Sequence, residues 1–216
     1  VSAAEMSVSG SATMSYNGGD EDKTEGQGWT MADSVTFSAS GDVNDIGVTY
    51  SVELDGDAAD GGGGVDNYSL AFDLGDAGSL TFAGHGGDGF LSANDDVMPT
   101  ASEEPWDVVS GADTNVINGF SGNNMYTYKY SHDSGVNLTL AYINAADAVT
   151  DVSYSDIGIS YTGVEGLTIG YAEGNVEQTA LTESDEHTLY ATYAMGAMTV
   201  GVQTSEKDVS GGSTSD

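Results

Sequence analysis

Polar and apolar residues alternate one by one along much of this chain. Met6, Val8, Ala12, Met14 and Tyr16 interleave with Ser7, Ser9, Ser11, Thr13 and Ser15. Val35, Phe37 and Ala39 interleave with Ser34, Thr36, Ser38 and Ser40, and Val48, Tyr50, Val52 and Leu54 with Thr49, Ser51 and Glu53. Successive side chains of a β-strand point to opposite faces, so a period of two marks a strand with one apolar and one polar face. The pattern returns at 68–74, 79–83, 125–130, 136–142, 157–162, 167–172, 188–193 and 198–203, which makes eleven predicted strands and no helix.

The connections alternate in length. Those at 75–78, 132–135, 163–166 and 195–197 are short, the link at 41–47 is slightly longer, and each carries Gly or Asp suited to tight turns. The segments 17–30, 55–67, 84–122, 143–155, 173–186 and 204 onward are long, acidic and glycine-rich. A plain rim and a decorated rim are what an up-and-down antiparallel sheet produces. Residues 1–216 read as a single all-β domain.

Composition sharpens this picture. Leu, Ile, Val and Phe make up just under a fifth of the 216 residues, and the formal net charge is −32, a combination that by itself predicts disorder. The regular alternation overrules that expectation. With 3 basic against 35 acidic residues and no arginine, the chain has no patch with which to displace counterions from nucleic acid. The absence of cysteine excludes disulfides, thiolate metal sites and cysteine catalysis. No run approaches the roughly 18 apolar residues of a membrane-spanning helix.

Within the predicted strands the charges Glu53, Asp73, Lys129 and Asp156 all fall on the Ser/Thr face. Alternation alone leaves open which face meets water: a lipocalin-like or sandwich protein turns its apolar face inward, an outer-membrane barrel turns it to lipid. Two features favour lipid. The polar face is nearly all Ser, Thr and Gly, as a wet lumen would be, and Tyr16, Tyr126, Tyr130, Tyr142, Tyr161, Tyr171 and Tyr193 lie towards strand ends, where aromatic girdles belong. Tyr is also simply a good strand former. The first residues, Val-Ser-Ala-Ala-Glu, have the small-residue pattern of a signal-peptide cleavage region, with 1–4 as its remnant. An odd strand count and an end within a long acidic segment predict a C-terminally truncated barrel.

The stretches MSVSGSATMSY, DLGDAGSLTFAGHGG, YTGVEGLTIGYAEG and LYATYAMGAMTVGVQ resemble the general porins of Gram-negative outer membranes, in particular those of marine alphaproteobacteria. The resemblance covers essentially the whole chain as a pattern of strands and turns. It implies a transmembrane β-barrel of sixteen strands, of which about eleven are present here, assembled as a homotrimer in outer-membrane lipid and passing small hydrophilic solutes passively. In that family the long loop after the fifth strand folds into the pore. Here the fifth predicted strand is 79–83, and 84–122 is the longest connection in the chain. Two departures stand out: five strands and the usual C-terminal aromatic strand are missing, and the arginine cluster that usually faces the acidic loop has no counterpart.

The loop 84–122 holds Asp88, Asp95, Asp96, Glu103, Glu104, Asp107 and Asp113, with Trp106 among them. On the functional reading these carboxylates line a constriction that attracts cations and repels anions. The bland alternative is a solvated acidic loop. Lumenal Glu53, Asp73, Lys129 and Asp156 complete the expected pore wall, with Lys129 a partner for a loop carboxylate. Acidic loops of this kind bind Ca²⁺ weakly at most, and residues 61–69 fit one turn of a Ca²⁺-binding nonapeptide repeat without a tandem copy. No resident metal or cofactor is expected. His85, His132 and His187 are far apart, and no nucleophile elbow or phosphate loop is present, so no enzyme is expected. The expected function is cation-preferring diffusion across the outer membrane. The competing expectation is a secreted or surface acidic, Ca²⁺-dependent β-protein of the adhesin type.

Overall fold

The computed structural model describes residues 5–17, 28–55, 64–95, 97–99, 117, 121–144, 152–178 and 182–210. The strands are β1 (Glu5–Asn17), β2 (Gly28–Val43), β3 (Ile46–Asp55), β4 (Asn67–Asp73), β5 (Ser79–His85), β6 (Gly87–Asp88), β7 (Ser121–Gly122), β8 (Met125–Ser131), β9 (Val136–Ile143), β10 (Val152–Val164), β11 (Leu167–Gln178), β12 (Thr182–Met195) and β13 (Met198–Ser210). Eleven of them form one antiparallel sheet in the order β1-β2-β3-β4-β5-β8-β9-β10-β11-β12-β13, and β6 pairs with β7 alone. The sheet is an open meander with β1 and β13 as its edges.

All eleven predicted strands are present, and several run further than the alternation indicated. β10 begins at Val152 rather than 157, β12 at Thr182 rather than 188, and β11 and β13 continue to Gln178 and Ser210. In β11, β12 and β13 polar residues occupy both faces of these extensions, as in Glu173-Gly174-Asn175 and Ser184-Asp185-Glu186-His187, so no period of two announces them. In β10 Val152 and Tyr154 alternate with Ser153 and Ser155, but out of phase with the run from Ile157. The link at 41–47 shrinks to a two-residue turn. Asn44 and Asp45 there have φ of 54° and 64°, the left-handed pair that matches the twist of a hairpin and that Asn and Asp tolerate best.

The registers place Val52 beside Tyr68, Phe82 beside Tyr126, Leu140 beside Ile157 and Ile169 beside Ala191, so one face of the sheet carries a continuous apolar band. Nothing covers it among the described residues: Ile159 is 48% exposed and Val202 65%. The two buried clusters lie on the opposite face.

The band also gives the strand tilt. Its loop-side limit runs from Leu54 on β3 through Tyr68, Phe82, Tyr126, Tyr142, Ile157, Tyr171 and Leu189 to Val202 on β13. Followed through the registers, this limit slides ten residues along the strands while crossing eight inter-strand spacings. At the usual dimensions that is about 34 Å along against about 38 Å across, a tilt of about 40°. Membrane barrels tilt their strands by about 35–45°. Tyr68, Tyr126, Tyr142 and Tyr171 line the loop-side margin of the band, and Tyr130, Tyr161 and Tyr193 lie toward the short-turn margin.

Charges do reach the apolar side. Asp33 lies there opposite Ala12, between Val35 and Met31, and Glu173, His187 and Glu206 lie just beyond the loop-side limit of the band. The expectation that strand charges keep to the Ser/Thr face holds for Glu53, Asp73, Lys129 and Asp156, but not for the strands at their full length.

Candidate functional site

The site is built where the connection after β5 crosses the Ser/Thr face. At its base β6 and β7 form a short pinch, with Gly87 opposite Gly122 and Asp88 opposite Ser121. The Thr127 hydroxyl on β8 donates to the Asp88 carbonyl at 3.4 Å. The chain then makes a compact turn through a 3₁₀ segment, Ser92–Asn94. Ser92 Oγ donates to the Gly89 carbonyl at 3.2 Å and Asn94 Nδ2 to the Phe90 carbonyl at 2.8 Å, so the turn satisfies its own backbone.

Phe90 and Leu91 lead this turn into the wall formed by β10, β11 and β12. They pack with Ile117, Ala172 and Tyr190, with Val97 alongside, and Leu91 and Ile117 are fully buried. The wall is shaped to receive them. A Cβ on Gly158 would lie 2.0 Å from Phe90 Cγ, and one on Gly201 would lie 2.7 Å from Pro99 Cδ, so no larger residue fits at either position while the segment stays in place. A second cluster, Met125, Ala141, Ile143 and Tyr154, covers the neighbouring stretch of wall.

Polar groups fix this packing at two places. Asp156 on β10 is 6% exposed. Its Oδ2 accepts the Leu91 N–H at 3.0 Å and the Tyr154 hydroxyl at 2.8 Å, while Oδ1 has no hydrogen-bond partner among the described residues. On β13 the Gln203 carboxamide works in both directions. Its Oε1 accepts the Val97 N–H, and its Nε2 lies 3.0 Å from the Asn94 and Asp95 carbonyls and from Thr188 Oγ1. Nearby, Lys207 Nζ stands 2.6 Å from Oε1 of the buried Glu186.

Of the candidate constriction residues, Asp88 is exposed at the base of the loop and Asp95 half-buried where Gln203 holds the chain. Asp96, Glu103, Glu104, Asp107 and Asp113 lie outside the described residues. Glu53, Asp73, Lys129 and Asp156 all stand on the same face as the loop segment. Glu53 accepts from Asn67 Nδ2. Asp73 joins Glu5 and Asp42 around a groove of about 410 Å³ near the short-turn rim, lined further by Ser40, Thr49, Ser79 and Thr81. Lys129 lies between Ser79 and Thr139 and makes no ion pair with any described residue; the lysine that does pair is Lys207.

The polar face is therefore divided. On β1 to β5 it is a field of hydroxyls, including Ser7, Ser9, Ser11, Ser34, Thr36, Ser38, Thr49, Ser51, Ser69 and Thr81. On β8 to β13 its loop-side part is covered by the loop segment. Gln203, Tyr154, the Glu186–Lys207 pair and the glycine sockets escaped sequence reasoning; only the glycines left a signal, as residues without side chains at polar-face positions. On the apolar side, beyond the band, a groove of about 550 Å³ is lined by Ser155, Tyr171, Glu173, Asn175, Asp185 and His187 among others. No three His, Asp or Glu converge on a metal-sized site among the described residues.

No protein-family model and no curated protein matches the chain. Solved structures do. OmpT, an outer membrane protein of Vibrio cholerae, superposes with a TM-score of 0.62 at 16% identity, over 95% of this chain and 65% of that one. An anion-selective porin from Comamonas acidovorans gives 0.59 at 16% identity, over 95% and 69%. An engineered variant of the Rh. blastica porin gives 0.51 at 14% identity, over 98% and 86%. The chain thus has the fold of bacterial outer-membrane porins and spans 65% of the length of the Vibrio protein.

Proposed function

We propose that this protein is an outer-membrane porin: a water-filled pore through which small hydrophilic solutes diffuse passively, with a preference for cations. The observation that carries the reading is the loop segment seated on the polar face of a sheet whose apolar face is bare. A soluble β-protein would cover that face, because leaving a Val, Leu, Ile or Phe side chain in water rather than burying it forgoes about 1.5–3 kcal/mol each. The hydrocarbon of a bilayer covers it instead. A secreted Ca²⁺-dependent protein of the adhesin type has no such use for the band.

The loop 84–122 narrows the passage, and its acidic residues Asp88, Asp95, Asp96, Glu103, Glu104, Asp107 and Asp113 supply the filter. The fold is shared with an anion-selective porin, so selectivity rests on charge rather than topology. Glu5, Asp42, Glu53 and Asp73 face the lumen from β1 to β4, against Lys129 alone on β8. With no arginine in the chain, Lys129 is the one group on these strands that draws anions. No chemical step, metal or cofactor enters this mechanism, and the homotrimer implied by the resemblance is part of the proposal.

A planar-bilayer recording of the native protein under a KCl gradient tests it. Stepwise currents that reverse toward the K⁺ equilibrium potential are expected. Reversal toward Cl⁻ overturns the cation preference. Protein that stays in solution without detergent and gives no steps overturns the porin. Light scattering in detergent tests the trimer.

A further inference from the structure

Two kinds of force hold the loop segment to its wall, and they do different things. The burial of Phe90, Leu91 and Ile117 attracts the segment but is non-directional, so by itself it allows sliding. The hydrogen bonds of Asp156 and Gln203 end on backbone N–H and C=O groups of Leu91, Asn94, Asp95 and Val97, and so specify a register. Their strands, β10 and β13, are three inter-strand spacings apart, about 14 Å. Two fixed points at that separation define an orientation as well as a place.

We propose that Asp156 and Gln203 form a two-point clasp that sets where the loop stands in the pore, and that Asp156 is a positioning residue rather than a charge of the ion filter. The inference rests on the porin reading above. Asp156 lies beneath Phe90 and Leu91 instead of facing open lumen, and one of its oxygens is committed to two donors. Its task is to accept the Leu91 N–H, and an uncharged acceptor of the same shape performs that task. Gln203 holds the second point through donors and an acceptor that a hydrocarbon side chain of similar size lacks.

The test compares Asp156→Asn, Asp156→Ala and Gln203→Leu in the native protein, reading the KCl reversal potential and the open-channel current noise. The chain has no cysteine, so a Leu91→Cys reporter gives a third readout through its rate of labelling by a water-soluble thiol reagent. Asp156→Asn should leave the reversal potential, noise and labelling as they were. Asp156→Ala and Gln203→Leu should each raise the labelling rate about tenfold or more and increase the noise, as expected when the buried Leu91 N–H is left unpaired or several hydrogen bonds are lost at once. A reversal potential that moves toward zero in Asp156→Asn as far as in Asp156→Ala, with labelling unchanged, overturns the clasp and makes Asp156 a filter charge. Should Asp156→Ala not fold, Asp156→Asn and Gln203→Leu decide between the same two outcomes. If the unsubstituted protein gives no channels, the porin reading falls; if it conducts and Gln203→Leu changes nothing, the clasp alone falls.

Discussion

Replacing Gly158 by Ala should dislodge the loop segment from its wall while leaving the sheet in place. The added methyl would lie 2.0 Å from Cγ of Phe90 and 2.3 and 2.5 Å from its two Cδ atoms. Carbon atoms in contact rest about 3.5–4.0 Å apart, so the ring must withdraw by about 1.5–2 Å. Phe90 is 8% exposed and backed by Leu91, Ile117 and Tyr190, which leaves it little room to do so. Overpacking of this kind costs about 1–3 kcal/mol. The strand itself gains, because Ala is preferred to Gly within a strand by about 0.5–1 kcal/mol. The thiol-labelling rate of a Leu91→Cys reporter measures the effect, and a loss of about 1–3 kcal/mol corresponds to a rise of about five- to over a hundredfold. A second substitution makes the test specific. In a Phe90→Ala background the methyl has nothing to strike, so Gly158→Ala should be neutral or slightly protective. An equal rise in labelling in both backgrounds would show that Gly158 disturbs the sheet rather than the loop, and the socket argument would fail.

Further outcomes follow from the same geometry. Neutralising Asp95, Asp96, Glu103 and Glu104 together to Asn and Gln should move the KCl reversal potential toward zero; an unchanged potential removes the constriction from this loop. Lys207→Met leaves Glu186, whose side chain is 2% exposed, without its ammonium partner. The loss should be about 3 kcal/mol, at the low end for a broken buried pair because Lys207 keeps some solvent, and Glu186→Leu in the same chain should restore most of it. Urea titration in detergent micelles reads both. Ile159→Arg, placed in the apolar band, should cost about 2–4 kcal/mol of folding stability in lipid vesicles. Ser38→Arg, on the opposite face from that band, should fold normally and weaken the cation preference; if Ser38→Arg is the more damaging of the two, the faces are assigned the wrong way round.

On the porin reading, much of the architecture is legible because bilayer and lumen impose opposite chemistries on neighbouring residues. Val48 to Leu54 alternates cleanly for that reason, and a slip of one residue there would turn every side chain toward the wrong solvent. Legibility stops where the apolar band stops. Above Ile157, Tyr171 and Leu189 the outer face turns polar while the inner face mixes polar residues with the buried Tyr154 and half-buried Val176, so the two faces no longer differ consistently in sequence. Asp33 escaped for a related reason: β2 extends to Gly28, beyond the alternating run that begins at Ser34. The place of the long connection was legible through its length and its position after the fifth strand. Its seat was not, since a hydrogen bond between Gln203 and residues 94–97 spans more than a hundred positions and leaves no local trace.

The polar face nevertheless records where the loop goes. Between β1 and β5 its positions are mostly Ser and Thr, with acidic, small and Asn residues between them and no large apolar side chain. From β8 onward Ser and Thr continue toward the short turns, as at Thr139, Ser160, Thr168 and Thr192, but on the loop side the same parity brings Met125, Ala141, Ile143, Tyr154, Gly158, Ala172 and Tyr190. A lumen wetted all round would have no reason to change from hydroxyls to methyls and rings partway across. The change coincides with the loop segment, which buries these residues and, among the described residues, leaves the hydroxyl wall bare. On the porin reading, water and ions therefore pass between the loop and β1 to β5. Asp156 and Glu186 then hold structure, and the carboxylates that ions meet on β1 to β4 are Glu5, Asp42, Glu53, Asp55 and Asp73, opposed on the described sheet by Lys129. Fields in a narrow passage with low-dielectric walls are focused rather than screened, so a few unopposed charges suffice to set the sign of the selectivity. The proposed cation preference thus depends on which part of the described wall is open, and a loop seated on β1 to β5 instead would turn the passage toward the part that holds Lys207 and Glu186 as a neutral pair.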